Sequence, residues 1–200
     1  GNVASTLAVD VFVQEVKRSW TASMNADKID QMLRGAVKLA NFTVYDQAQK
    51  YEEFSGMGTT LVAALLCGKT AAVVNVGDSR AYHLDGDGVN QLTVDHSLVQ
   101  MMVDRGELTA EEARTYPGRN VITRAVGTDR TVEADIYEFT PQEKDILLLC
   151  SDGLVNMVED EIILSIVRNA NSLDDAANAL VEEAERCGGT DNITVILIEY

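Results

Sequence analysis

Three aspartates stand beside apolar segments of the chain that have the composition of β-strands. They are Asp78, Asp152 and Asp191. If the strands predicted over residues 145–150 and 193–200 are antiparallel neighbours, the end of the first and the start of the second lie at one edge of the sheet, so that Asp152 and Asp191 face each other. Asp78 joins them if the strand that ends before it runs in the same direction as residues 145–150.

Clustered carboxylates repel one another unless a cation or a shared proton lies between them. Ligation by oxygen alone suits Mg²⁺ or Mn²⁺, and two such ions can present a hydroxide for in-line attack on phosphorus. Gly153 and the pair Gly188–Gly189 are expected to turn the backbone sharply beside the ions. Taken alone, each Asp at a strand end is more simply explained as a turn, so the metal hypothesis depends on the surrounding motifs.

The two histidines do not assemble a nucleophilic triad with a serine or cysteine. His83 is interpreted as a structural residue of a strand. His96 begins a helix, which Asp95 or Ser97 is expected to cap. We therefore predict no catalytic side chains beyond the metal ligands.

The hydrophobic pattern predicts helices and strands in separate blocks. Helices are expected over residues 3–18, 27–50, 97–105, 109–115, 159–169 and 172–186. Strands are expected over residues 59–66, 70–76, 80–84, 89–92, 132–139, 145–150 and 193–200. Because the two kinds of element do not alternate, the fold class is predicted to be α+β, with helix layers packed on antiparallel sheets.

Composition limits the partners. The chain has 200 residues, enough for one domain, and a net charge of −16, which repels nucleic-acid phosphates and anionic membranes. No apolar run is long enough to cross a bilayer. The three cysteines are an odd number without metal-ligand spacing, which fits a reducing compartment. We therefore expect a cytoplasmic protein that binds neither nucleic acid nor membrane.

Six ordered segments resemble those of the type 2C (PPM) metal-dependent serine/threonine protein phosphatases, in the spacing of the bacterial branch. They are Gly56–Leu61, Val74–Tyr82, Leu92–Leu98, Arg119–Gly127, Leu149–Leu154 and Gly189–Val195. The resemblance covers nearly the whole chain. It implies one catalytic domain over residues 1–200, folded as a four-layer α-β-β-α sandwich with two antiparallel β-sheets.

The resemblance also implies a ligand set. Asp152 and Asp191 match the family's C-terminal ligands of two main Mn²⁺ or Mg²⁺ ions, and Asp78 matches the carboxylate that supports a third, weaker ion. Gly153 and Asn192 match residues beside these ligands, and Asn192 is expected to steady Asp191. Family members also carry an upstream Arg that holds the substrate phosphate and an upstream Asp-Gly whose carboxylate bridges the two main ions, and neither is found in this sequence. Either the sequence given omits an N-terminal segment with its strands, or the protein is a real truncation.

Residues 97–119 match the family's flap, a mobile segment beside the active site. Its helical pattern and its charges, with Ser97 at the start, Arg105 within and Arg119 at the end, fit a lid that contacts the substrate.

The function predicted from this resemblance is hydrolysis of phosphoserine and phosphothreonine in proteins by a water activated between two divalent ions. Phosphorylated proteins would be the substrates, and a serine/threonine kinase a signalling partner by family analogy. Two alternatives remain open at this point. One is a non-catalytic, pseudophosphatase-like binding module, and the other is a PPM-like hydrolase of a small phosphorylated compound.

Overall fold

The computed structural model describes residues 2–200, which contain α-helices and antiparallel β-strands. The helices are α1 (Asn2–Ser19), α2 (Ala26–Lys50), α3 (Leu98–Asp104), α4 (Ala110–Thr115), α5 (Asp152–Val155), α6 (Asp160–Asn169) and α7 (Leu173–Arg186). The strands are β1 (Leu61–Cys67), β2 (Thr70–Val76), β3 (Arg80–Leu84), β4 (Val89–Gln91), β5 (Asp135–Phe139), β6 (Ile146–Cys150) and β7 (Val195–Glu199).

The chain forms two compact units, each with its own sheet. The first comprises the residues up to Gly77 together with His96–Phe139, and the second comprises Asp78–Asp95 and Thr140–Tyr200. The single domain expected over residues 1–200 remains a prediction.

In the first unit, α1 and α2 form a helical hairpin that packs on the sheet β1-β2-β5. A stripe of apolar side chains on α2 is buried along its whole length, from Ile29 to Val44. The N-cap of this helix is Asn25, whose side chain accepts a hydrogen bond from the backbone N–H of Lys28 (3.1 Å). The β1–β2 hairpin turns through Gly68, which has a φ of 60°.

In the second unit, the sheet has the order β4-β3-β6-β7, with all neighbours antiparallel. Its core combines strand residues with the inner faces of α5, α6 and α7. The largest fully buried members are Tyr82, Leu148, Leu154, Ile163 and Leu180. Burial of these side chains, worth about 1.5–3 kcal/mol each, holds the helices against the sheet.

The predicted α+β class with two antiparallel sheets is therefore confirmed. Across residues 2–200, no helix combines the length and the apolar character that crossing a bilayer requires.

Candidate metal centre

The order of the strands brings the three aspartates to one edge of the second sheet. β6 lies between β3 and β7 and is antiparallel to both, and Cys150 at its end pairs with Arg80 at the start of β3 and with Val195 at the start of β7. Asp152 follows the end of β6, whereas Asp78 and Asp191 precede the starts of its neighbours. The antiparallel pairing of β6 with β7 that the sequence predicted is found.

Asp78 reaches this edge without the condition that the sequence interpretation attached to it. The strand before it, β2, belongs to the sheet of the first unit and does not pair with β6. Asp78 instead precedes β3, which runs opposite to β6, so that the start of β3 lies beside the end of β6. The reason is topological, since only three residues separate β2 from β3, which is a strand of the other sheet.

Asp152 is the first residue of α5, a four-residue helix that follows β6 directly. The preceding Ser151 ties the end of β6 to the start of β7, because its Oγ donates to the carbonyl oxygen of Asn192 (3.1 Å) and accepts from the backbone N–H of Thr194 (3.0 Å). The Asn156 amide donates to Asp152 Oδ2 (3.3 Å). The Asn156 bond thus orients the carboxylate, while the Ser151 bonds fix the backbone just before it.

Gly153 supports this site for a different reason than the one predicted. It is not among the glycines with positive φ, and it lies within α5 with ordinary helical geometry. A Cβ at this position would overlap the carbonyl oxygen of Asn192. Glycine is therefore required because the backbone of the β7 entry approaches α5 closely, and not because the chain turns sharply here.

The glycine pair before Asp191 does supply the predicted turn. Gly188 has a φ of 135° and Gly189 a φ of 51°, both in the region that favours glycine. After this turn the backbone N–H of Asn192 donates to Asp191 Oδ1 at 2.7 Å. Asn192 therefore contacts the exposed Asp191 carboxylate through its backbone amide.

The three carboxylates influence one another electrostatically. Burial first, and the charge of Asp152 second, raise the pKa of Asp78 to about 6. Burial likewise raises the pKa of Asp152, with the charge of Asp191 as the second cause. The charge of Asp152 therefore disfavours ionisation of Asp78, and the charge of Asp191 disfavours ionisation of Asp152. A bound cation would relieve both repulsions.

Arg80 and Asp95, which are absent from the predicted ligand set, also influence the charge of Asp78. Arg80 forms a bidentate ion pair with Asp95, with Nε 2.9 Å from Oδ1 and Nη2 2.7 Å from Oδ2, and its Nη1 donates to the hydroxyl of Tyr82 (2.9 Å). The charge of Asp95 also acts to raise the pKa of Asp78, whereas that of Arg80 acts to lower it. The sequence carries one signal for this pair, because Arg80 is the one Lys, Arg, Asp or Glu on β3.

The predicted ligands fit a hard divalent cation in their chemistry, since all three offer carboxylate oxygens. They do not close a complete cage by themselves. In the described part of the chain, residues 2–200, no three His, Cys, Asp or Glu side chains converge closely enough to enclose a metal ion. The aspartates therefore constitute an open, acidic edge.

The predicted flap lies in the first unit and contains α3 and α4. Ser97 is buried, caps α3 by accepting from the backbone N–H of Gln100 (3.2 Å), and forms an isolated antiparallel bridge with Ile122. Arg105 and Arg119 are exposed. Ser97 therefore anchors the segment, whereas the two arginines present their charges at its surface.

Comparison with known proteins identifies the class to which this fold and this acidic edge belong. The model of the family "Protein phosphatase 2C" matches residues 1–186. The serine/threonine phosphatase Stp of Listeria welshimeri is 40% identical over 199 residues, which cover 100% of this chain and 79% of that protein. The protein phosphatase PhpP of Streptococcus pneumoniae is 34% identical over 200 residues, which cover 99% of this chain and 79% of that protein.

Solved structures agree. The serine/threonine phosphatase Stp1 from Staphylococcus aureus has a TM-score of 0.88 at 37% identity, over 96% of this chain and 76% of that one. The catalytic domain of the serine/threonine protein phosphatase PstP in complex with two manganese ions has a TM-score of 0.86 at 34% identity. The match covers 100% of this chain and 81% of that one. The chain belongs to the protein phosphatase 2C family, which confirms the resemblance, the fold and the serine/threonine phosphatase class predicted from the sequence.

Proposed function

We propose that this protein hydrolyses phosphoserine and phosphothreonine in proteins, with Asp78, Asp152 and Asp191 as its own ligands to divalent cations. The observation that carries the proposal is the placement of these aspartates at one edge of the second sheet, where burial and mutual repulsion raise the pKa values of Asp78 and Asp152. Carboxylates with a purely structural role gain nothing from such an arrangement, because the negative charge of each one disfavours ionisation of its neighbour.

When bound, two divalent ions supply Lewis acidity and lower the pKa of water enough for it to attack phosphorus. In this proposal Asp152 and Asp191 hold the two main ions, and Asp78 holds a third, weaker one. Gly153 lets the backbone of Asn192 approach α5, and the amide of Asn192 orients Asp191. Mn²⁺ and Mg²⁺ both suit carboxylate oxygens.

The proposed substrates are phosphorylated proteins, which the exposed Arg105 and Arg119 of the flap would meet through their positive charge. We expect the protein to act in the cytoplasm and to oppose a serine/threonine kinase, by analogy with the family.

Phosphothreonine-peptide hydrolysis with Mn²⁺ tests the proposal, using this chain and a version extended upstream to the length of its relatives. We expect Asp152→Asn to lower kcat/KM by at least about 100-fold, since even residues that only support metal ligands are worth about 10–100-fold. Asp10→Asn, at an exposed position of α1, is the matched control and should retain activity. An inactive extended form, or an Asp152→Asn variant with unchanged kinetics, would contradict the proposal.

The substrate class is tested separately. Phosphopeptides and small phosphate esters should be compared by kcat/KM, because only differential stabilisation of the transition state reports specificity. We expect a preference for phosphopeptides. A preference for small esters would instead favour the alternative reading as a hydrolase of a small phosphorylated compound.

A further inference from the structure

The residue before Asp78 is held in a conformation that requires external support. Gly77 is buried, has a φ of 110°, and is so close to Thr60 that an added Cβ would overlap the threonine side chain. Glycine has more conformational freedom in the unfolded chain than any other residue, so holding one geometry at this position has an entropic cost that hydrogen bonds help to offset. Gly77 determines where the backbone of Asp78 begins.

His96 supplies that support with both its backbone and its ring. Its backbone N–H donates to the carbonyl oxygen of Gly77 (3.0 Å), and the backbone N–H of Gly77 donates to His96 Nδ1 (3.0 Å). The His96 side chain is only 6% exposed. Both polar groups of the Gly77 backbone are therefore bonded to one residue, 19 positions later in the chain.

The hydrogen bond from Gly77 also determines the tautomer of the ring. A nitrogen that accepts a hydrogen bond carries no proton, so Nδ1 is unprotonated and the neutral ring has its proton on Nε2. This proton is donated to Asp135 Oδ2 at 3.0 Å. Arg124 Nη1 also lies 3.0 Å from Nε2, but a protonated Nε2 has no lone pair with which to accept.

Arg124 donates instead to Asp135, the residue that accepts the hydrogen bond from the His96 ring. Its Nη1 donates to Asp135 Oδ1 (2.9 Å) and to the carbonyl oxygen of Glu133 (3.0 Å). Partial burial acts to raise the pKa of Asp135, but the hydrogen bonds from His96 and Arg124 outweigh it and hold this pKa below its ordinary value. A charged Asp135 is a strong acceptor for Nε2–H and keeps the ring oriented.

We propose that His96 is a positioning residue for the metal centre: as the Nε2–H tautomer, oriented by Asp135, it fixes the Gly77 peptide and thereby the backbone from which the Asp78 carboxylate extends. This role rests on the proposed function of Asp78 as a ligand. His96 contacts neither substrate nor ion in this role, and its effect reaches the site through the Gly77–Asp78 peptide.

Two substitutions at His96 separate its two ring nitrogens. Asparagine can place Oδ1 near the position of Nδ1 and so retain an acceptor for the Gly77 N–H, whereas glutamine reaches toward Asp135 and leaves the Gly77 N–H without its acceptor. The readout is the Mn²⁺ concentration that gives half of the maximal thermal shift, measured without substrate. We expect His96→Gln to raise it about tenfold, which is the effect of about one lost hydrogen bond, and His96→Asn to raise it less than threefold.

His83→Gln is the matched control. His83 is the chain's other histidine, it bonds Asp145 through Nε2 at 2.7 Å, and the same substitution there should leave the Mn²⁺ requirement unchanged. Nitrogen-15 shifts of the His96 ring provide an independent measurement that does not depend on the variants folding. They should report a protonated Nε2 and an unprotonated Nδ1.

The opposite tautomer, or an equal loss in His96→Asn and His96→Gln, would overturn the positioning role while leaving the proposed function intact. Failure of the proposed function has a different signature, because the unsubstituted protein would then show no Mn²⁺-dependent thermal shift and no hydrolysis, and the role of His96 toward the metal centre would be refuted with it.

Discussion

Asp78→Asn removes a carboxylate whose charge is costly when no cation is bound. Burial, with the charge of Asp152 as the second cause, raises the pKa of Asp78 from 3.8 to about 6. Each unit of pKa difference corresponds to about 1.4 kcal/mol, which makes about 3 kcal/mol the upper limit of this cost. Because the side chain is only partly buried, screening by solvent reduces the expected effect to about 1–2 kcal/mol.

The sign of the effect follows from proton linkage. A carboxyl group with a higher pKa in the folded state binds protons more tightly when folded, so the free energy of unfolding falls as the pH rises from 3.8 to about 6. Asparagine cannot ionise and escapes this loss. In a chelator we therefore expect Asp78→Asn to be more stable than the unsubstituted protein by about 1–2 kcal/mol near neutral pH, and the difference to disappear near pH 4.

Urea denaturation followed by far-UV circular dichroism measures this difference at each pH. Asp10→Asn, at an exposed position of α1, is the control and should show no such pH-dependent gain. Adding Mn²⁺ should favour the unsubstituted protein, because a ligand that binds only the folded state stabilises it. An Asp78→Asn variant that is no more stable than the unsubstituted protein in chelator at neutral pH would refute the reasoning.

Three further predictions concern the supports of the two units, each measured by thermal or urea denaturation. Gly153→Ala should cost about 1–3 kcal/mol, because the new Cβ overlaps the carbonyl oxygen of Asn192; an unchanged melting temperature would contradict the close approach. Arg80→Lys should cost about 1–2 kcal/mol, since lysine keeps the charge but loses the bidentate geometry toward Asp95; equal stability would mean that charge alone suffices. Asn25→Ala should cost about 1 kcal/mol through loss of the α2 cap, and Asn25→Ser should restore most of it.

Elements with a long and regular pattern were predictable from the sequence. The stripe of α2 and its cap at Asn25 specify that helix to within one residue at its start, because burial of one helical face follows directly from the spacing of apolar side chains. The hairpin of β1 and β2 was predictable for a similar reason. Only Gly68 and Lys69 separate the two apolar strands, and so short a connection makes them antiparallel neighbours. α5 was not predicted, because four residues are too few to show a period.

The candidate site was predictable in its residue types but less so in its geometry. The sequence analysis made the position of Asp78 depend on the strand before it, whereas the structure relates Asp78 to β6 through the strand after it. Membership of a sheet is decided by long-range pairing, which no local pattern records. The role of Gly153 was misread for the same reason, since the Asn192 backbone that excludes a Cβ arrives from far along the chain. The bond between His96 and Asp135, 39 residues apart, had no local signal at all.

The order of the strands explains the order of the carboxylates. β6 lies between β3 and β7, so the aspartate that follows β6 lies electrostatically between the other two. After burial, the charge of Asp152 is the largest cause that raises the pKa of Asp78, and the charge of Asp191 is the largest that raises the pKa of Asp152. A cation beside Asp152 relieves both repulsions, whereas a cation beside either flanking aspartate relieves only one. Asp152 is therefore the ligand on which the proposed metal centre depends most, and its substitution is the sharpest test of the enzyme.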